Sequence, residues 1–229
     1  MNRITDSEAI TQQDEHKSSH YKVPVSAFTF AILAALLFGI LYTALPETIT
    51  VGPDWLPLII EVIIIAPIVI ARIVRHPIPY RYTRAITLIL LCVITLALTI
   101  SIVLLIVTLP RRQATQASGL LRTGALLYAG NILVFGLIYW EIDGGGPKAR
   151  HERNNQAVDF LFPQQTDGNK SGWVPHLIDY LFLAFTSATA FSPTDTYPLT
   201  RRAKGLMMIE AVLALVVLSI LIGRAINIL

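Results

Sequence analysis

Four stretches of this chain are apolar almost without interruption: 27–45, 55–75, 85–109 and 203–223. Crossing a hydrocarbon layer of about 30 Å takes about 20 predominantly apolar residues at about 1.5 Å each, and all four meet that length. Residues 120–140 form a fifth run, less apolar because Asn131 sits near its centre. A sixth run, 177–191, is too short to cross comfortably and ends in Thr, Ser and Pro. The pattern predicts five transmembrane helices and one half-helix. Polar residues collect between these runs rather than alternating with them, so the chain reads as an all-α, polytopic membrane helix bundle.

Composition agrees. Hydrophobic residues make up 54% of the 229 and charged residues 14%, which lies outside the range of soluble domains. The net charge of +3 is small and its bases sit in short loops, so no nucleic-acid surface is expected. Cys92 is the single cysteine, which excludes a disulfide framework or a CxxC pair. His16, His20, His76, His151 and His176 are scattered among loops without ligand spacing. There is no HExxH, no GxSxG and no phosphate loop leading into a helix, so neither metal, cofactor nor enzymatic activity is expected.

Three regions follow. Residues 1–26 are polar, of mixed charge and without periodicity, and are expected to be a disordered tail. Residues 27–118 hold three spans. The run 27–45 is longer than a signal-peptide core, and no small-x-small cleavage pattern follows it, so it is read as an uncleaved first span. Residues 119–229 hold a helix, the polar connection 142–176, the half-helix and the last helix. The "DGGGP" opening of that connection is expected to be a flexible exit, and "DFLFPQ" and "GWVPH" supply aromatics for the membrane interface.

Between the half-helix and the last helix lies "FTSATAFSPTDTYPLTRRAKG". A half-helix, irregular hydroxyl-rich backbone and then a full span is the order a re-entrant pore loop requires. Non-helical backbone at membrane depth persists only where protein or a water-filled cavity satisfies its polar groups. The stretch "DYLFLAFTSATAFSPTDTYPLTRRAKGLMMIEAVLAL" resembles the pore module of tetrameric cation channels, in which an aromatic pore helix runs into a Thr-initiated filter. Thr189, Asp195, Pro198, Thr200, Arg201, Arg202 and Glu210 stand at the corresponding places. The second half of the chain, with "YWEIDGGGP" and "TAFSPTD", also resembles an uncharacterised family of bacterial inner-membrane proteins.

The resemblance implies a homo-oligomer, a tetramer if the loop lines a pore, with monovalent cations as its cargo and the lipid bilayer as its other partner. It does not extend to a potassium filter. Phe191 and Pro193 replace the glycines that such a filter needs, and Pro193 fixes φ near −65°. Coordination would fall to the hydroxyls of Thr186, Thr189, Ser192 and Thr194 and to the carboxylate of Asp195. The competing reading makes Ser192–Asp195 a turn joining two helices, in a non-conducting scaffold or accessory protein. The two readings call for different surroundings: 186–195 facing the axis of a symmetric oligomer, or packed on its own chain.

Three polar residues inside the spans are read as braces: Glu210, Asn131 and Glu61. An interhelical hydrogen bond from Asn131 is worth about 0.6–2 kcal/mol, and Glu61 is expected to pair with an Arg or hydroxyl of a neighbouring helix. Glu141, Arg72 and Arg224 sit at span ends, where snorkelling accounts for them. The turn 72–84 carries Arg72, Arg75, Arg81 and Arg84, whereas 46–54 carries no base, so the turn and the N-terminus are expected to be cytoplasmic in a bacterial inner membrane. With five full spans the pore-like loop then lies on the cytoplasmic side. If 177–194 spans instead, the C-terminus returns to the cytoplasm.

Overall fold

The computed structural model describes residues 25–50, 52–74, 78–109, 117–189 and 195–226. Its elements are mostly helical: α1 (Val25–Thr43), α2 (Leu56–Ile73), α3 (Tyr80–Thr108), α4 (Ala117–Ile142), α5 (Pro147–Glu152), α6 (Leu177–Thr189) and α7 (Arg201–Ile226). A two-stranded antiparallel ribbon, β1 (Phe160–Leu161) and β2 (Tyr197–Pro198), pairs Phe160 with Pro198 and Leu161 with Tyr197.

Three helical stretches are long and apolar enough to cross a membrane: Tyr80–Thr108, Gly119–Gly145 and Arg201–Gly223. The outward faces of the first and last carry Ile89, Leu96, Val107, Met208, Val212 and Leu215, all exposed, while Gly119–Gly145 is mostly buried by its neighbours. A water-soluble surface would not present such continuous apolar faces, and a bilayer accounts for them. The chain is a membrane protein. α1 and α2, at 19 and 18 residues, are shorter, and α6 has only 13.

The helix boundaries have local causes. Pro79 stands at the N-cap of α3, where its missing N–H is no loss. Pro67 lies inside α2, which therefore lacks one backbone hydrogen bond in mid-helix. Thr200 caps α7, its Oγ1 accepting from the N–H of Ala203 at 3.3 Å. That start is where the sequence predicts it; α6 is helical from Leu177 to Thr189, and the predicted break after it lies outside the described residues.

α4 is the centre of the bundle, packed against α1, α3, α6 and α7. Val134, Phe135 and Tyr139 are fully buried. Gly136 lets α6 approach closely: a Cβ there would lie 2.6 Å from Leu181 Cδ2. α4 and α7 run antiparallel, with Gly124 facing Leu221 at one end and Tyr139 facing Glu210 nearer the other.

One end of the bundle is closed by residues 142–176. The glycines of "DGGGP" do not make a flexible exit. Asp143–Gly145 is a tight 3-10 turn, Asp143 and Gly144 are buried, and Gly144, Gly145 and Gly146 all take positive φ. The turn folds the chain back over the end of α4, where a side chain at Gly144 or Gly146 would meet Arg150 or Tyr80. The aromatics expected at the membrane interface also turn inward. Phe160 is fully buried, with its ring 5.2 Å from Tyr139, and Phe162 stands edge-on to Tyr180 at 5.2 Å and tilted to Trp173 at 5.3 Å.

This cap lies at the same end of the bundle as the start of α3. Arg84 Nε is 3.6 Å from Glu141 Oε1, and Lys148 Nζ is 5.6 Å from the Tyr80 ring centre. Toward the opposite end, the buried Ser101 hydroxyl meets Tyr42 Oη at 3.2 Å, and the 3-10 turn Glu47–Ile49 packs on α3.

Candidate functional site

The C-terminal end of the pore-like segment is held by one carboxylate. Asp159, fully buried at the end of the cap, accepts from Thr200 Oγ1 at 2.7 Å, Arg202 Nε at 2.6 Å and Arg202 Nη2 at 2.5 Å. Its backbone carbonyl accepts from Leu199 N–H at 2.8 Å, and its Oδ2 accepts from Gly144 N–H at 2.9 Å. Burial pushes the Asp159 carboxyl up, but the hydrogen bonds from Arg202, Thr200 and Gly144 outweigh it and hold the group below the usual carboxylate range.

A second acid, Asp143, continues the network toward α6. It accepts from Tyr180 Oη at 2.5 Å and from the N–H of Asp159 at 3.1 Å. Buried Arg150 donates to the carbonyls of Trp140 and Asp143 at 2.6 and 2.8 Å, with its guanidinium 5.1 Å from the Tyr180 ring centre. Two carboxylates and two guanidiniums thus fasten the first turn of α6, the ribbon and the first turn of α7 to the end of α4. Paired charges of this kind are stable in a buried place because each retains several hydrogen bonds.

Deeper in the bundle lies a smaller cluster. Tyr139 Oη donates to Glu210 Oε2 at 2.5 Å, and Asn131 Nδ2 donates to the Glu210 carbonyl at 3.3 Å. Ser187 of α6 stands beside both Tyr139 and Glu210. Glu210 and Asn131 are fully buried, and among the described residues Glu210 Oε1 and Asn131 Oδ1 meet no hydrogen-bond partner. The cluster joins α4, α6 and α7.

Of the residues singled out in the loop, Thr186 and Thr189 are half-buried at the end of α6. Their hydroxyls donate back into their own helix, Thr186 to the Phe182 and Leu183 carbonyls and Thr189 to the Phe185 and Thr186 carbonyls. Lone pairs on both oxygens remain for a ligand. Asp195 is exposed, and Ser192 and Thr194 lie outside the described residues. The structure brings Glu210 and Asn131 together but leaves Glu61 apart. Glu61 is fully buried in the α1–α2 contact against the Gly39 backbone, and among the described residues no Arg or hydroxyl side chain partners its carboxylate, in place of the expected pairing. Glu141 also differs from expectation: it is buried and ion-paired to Arg84 rather than snorkelling.

Asp143, Asp159, Arg150, Tyr180, Tyr139 and Ser187 were not marked as site residues by sequence reasoning. The one available signal was the buried-type aromatic spacing around Asp159 in "DFLF", which fits a packed strand as well as a membrane interface. Among the described residues no group of three or more His, Cys, Asp or Glu gathers to hold a metal. The chain matches no known protein family, no curated protein and no solved structure.

Proposed function

We propose that residues 119–229 form the pore module of a channel-like membrane protein that passes cations without potassium-type selectivity. In this reading α1 to α4 and α7 cross the membrane, and α6 enters and leaves it on one side as a re-entrant half-helix. The observation that carries the reading is that α6 and α7 begin at the same end of the bundle. Tyr180, in the first turn of α6, and Arg202, in the first turn of α7, are joined through the neighbouring Asp143 and Asp159.

Between those anchors the chain must go down and come back. α6 has 13 residues, a rise of about 19 Å. The eight steps from Thr189 to Tyr197 span at most about 26–29 Å when extended, enough to return from the foot of α6 to the ribbon. At membrane depth the backbone groups of that segment would need ions, water or a neighbouring copy as partners. Asp195, exposed at the mouth, supplies the charge that concentrates cations.

The cap and the start of α3 share one end, and the described residues there carry Arg81, Arg84, Lys148, Arg150, Arg153 and Lys170, against Arg122 and Arg224 toward the other end. The positive-inside rule makes it the cytoplasmic end in a bacterial inner membrane. The pore-like loop then opens to the cytoplasm.

A second reading, a non-conducting scaffold, is favoured by one observation: the Thr186 and Thr189 hydroxyls are turned into their own helix. Cross-linking separates the two. With Cys92 replaced, Thr189→Cys should form disulfide-linked dimers under mild oxidation if the feet of four α6 helices surround an axis, each single thiol pairing with one neighbour. A monomeric product alone would favour the scaffold.

A further inference from the structure

A cleft of about 100 Å³ lies between α1, α2, α3 and α4, outside the loop and its anchors. Its walls are almost wholly apolar, with Ala35, Ile64, Ile68, Leu91 and Leu137 among them, and the Trp140 indole lines it. One end differs. There Arg84 and Glu141 stand 3.6 Å apart, beyond hydrogen-bond length, and Tyr80 and Thr83 complete the rim. Among the described residues Arg84 Nε meets no hydrogen-bond acceptor, while the Tyr80 hydroxyl is covered by the cap at Gly146 and Lys148. Neighbouring bases add to the charge. Arg81 is exposed one helical turn before Arg84, Lys148 Nζ lies over the Tyr80 ring at 5.6 Å, and no acid occurs within 72–84. Glu141 is faced by two guanidiniums, Arg84 and Arg150, so the rim keeps a positive excess.

We propose that this cleft binds the headgroup-proximal part of one acyl chain of an anionic phospholipid, with the lipid phosphate on the partly exposed Arg84 guanidinium at its polar end. The arrangement matches the molecule in order and in polarity. Arg84 and Tyr80 sit in the first two turns of α3, where an apolar span meets the headgroup layer, and Leu91 lies about 10 Å deeper along the same helix. The phosphate supplies hydrogen-bond acceptors to the Arg84 guanidinium, which Glu141 meets only at ion-pair distance, and guanidinium binds phosphate oxygens through paired N–H groups. Hydrocarbon fills an apolar void that water would leave dry. Basic pockets between transmembrane helices are recurrent sites for anionic lipid headgroups. A bound chain would join α2, which touches the rest of the bundle mainly through α1, to α3 and α4. The site does not depend on whether the protein conducts.

Trp140 reports on the cleft directly. The full chain, with Trp55→Phe and Trp173→Phe leaving Trp140 as the single tryptophan, is reconstituted in phosphatidylcholine vesicles. A small fraction of phospholipid brominated in its acyl chains is then added, either as phosphatidylglycerol or as phosphatidylcholine. The expected result is stronger quenching of Trp140 by brominated phosphatidylglycerol, with a preference that falls about fivefold in Arg84→Gln, the effect of one interfacial base. Equal quenching by the two lipids would mean that the cleft takes any chain and the headgroup is not read, and absence of quenching would mean that no chain enters; either overturns the proposal. Native mass spectrometry of the unmodified protein gives an independent reading that needs no substitution. Retained phosphatidylglycerol after delipidation in a phosphatidylcholine mixture supports the site, and loss of both lipids at equal rates contradicts it.

Discussion

Arg202 donates two hydrogen bonds to Asp159, at 2.6 and 2.5 Å, although 43 residues separate the pair in sequence. The guanidinium is half-exposed, whereas the carboxylate is fully buried. This pair fixes the start of α7 to the cap, as the Tyr180–Asp143 hydrogen bond fixes the start of α6. Asp159→Asn removes the charge and leaves at least one donor without an acceptor. We expect a loss of about 2–4 kcal/mol, the range for truncating a buried, charge-assisted hydrogen-bond network. Thermal unfolding in detergent measures it, and an unchanged midpoint would show that the clamp contributes nothing.

The same carboxylate sets an acid limit. Its folded-state pKa is held below the ordinary Asp value by Arg202, Thr200 and Gly144, against the upward push of burial. A depressed carboxyl contributes stability that is fully present above the unfolded pKa of about 3.9 and is lost as pH falls through the folded value. Stability from this group should therefore be flat from about pH 5 to 8 and decline below about 4. Asp159→Asn should remove that part of the acid dependence. An acid limb identical in the variant would assign it to other groups.

Tyr139 and Glu210 make the corresponding test inside the bundle. Tyr139→Phe takes away the donor at 2.5 Å and leaves Glu210 buried with no side-chain hydrogen bond from α4. The expected cost is about 1–3 kcal/mol. Glu210→Gln, which keeps a hydrogen-bonding isostere, should cost less than Glu210→Leu if the residue braces α4 against α7. The reverse order in a melting series would speak against bracing.

Much of the helical layout was legible because it depends on local chain properties. Apolar run length gave the long spans, and Thr200 ahead of "RRAKG" gave the start of α7 with its cap. The anchors were not legible for the opposite reason. Asp159 meets Arg202 across 43 residues, and Glu141 meets Arg84 across 57. No periodicity encodes such pairings. The glycines of "DGGGP" were misread on composition: the same residues that loosen a free chain permit the positive φ of a tight, buried turn. Glu61 shows the limit from the other side, since its buried position follows from the apolar run but its want of a side-chain partner among the described residues does not.

Glu61 leads to its own prediction. Its carboxylate, with no side-chain partner among the described residues, sits in the notch that Gly39 leaves in α1. If the carboxyl has only a structural place, Glu61→Leu should stabilise the protein by about 1–3 kcal/mol, the usual penalty of an unsatisfied buried polar group. Gly39→Ala should destabilise it by about 1–3 kcal/mol, because the added methyl overlaps the Glu61 carboxyl. A destabilised Glu61→Leu would show that the acid has a binding partner in the membrane.

The cap and the turn 72–84 should respond together to reagents that cannot cross the membrane. With Cys92, which is exposed, replaced first, cysteines at Arg81 and at Glu152 should both be protected in intact cells. A cysteine at Glu47, toward the opposite end, should be labelled. Labelling at both Arg81 and Glu152 would reverse the orientation and keep the fold. Labelling at only one of them would contradict the shared end that Arg84 and Glu141 define.

Cation flux into liposomes carrying the purified protein tests the channel reading most directly. Asp195 is exposed, so Asp195→Asn should leave stability within about 0.5 kcal/mol. As a mouth charge its loss should lower conductance or shift selectivity. The account predicts voltage-driven cation uptake above that of empty liposomes, reduced in Asp195→Asn at equal reconstitution. Uptake no greater than in empty liposomes, at every voltage and pH applied, would contradict it.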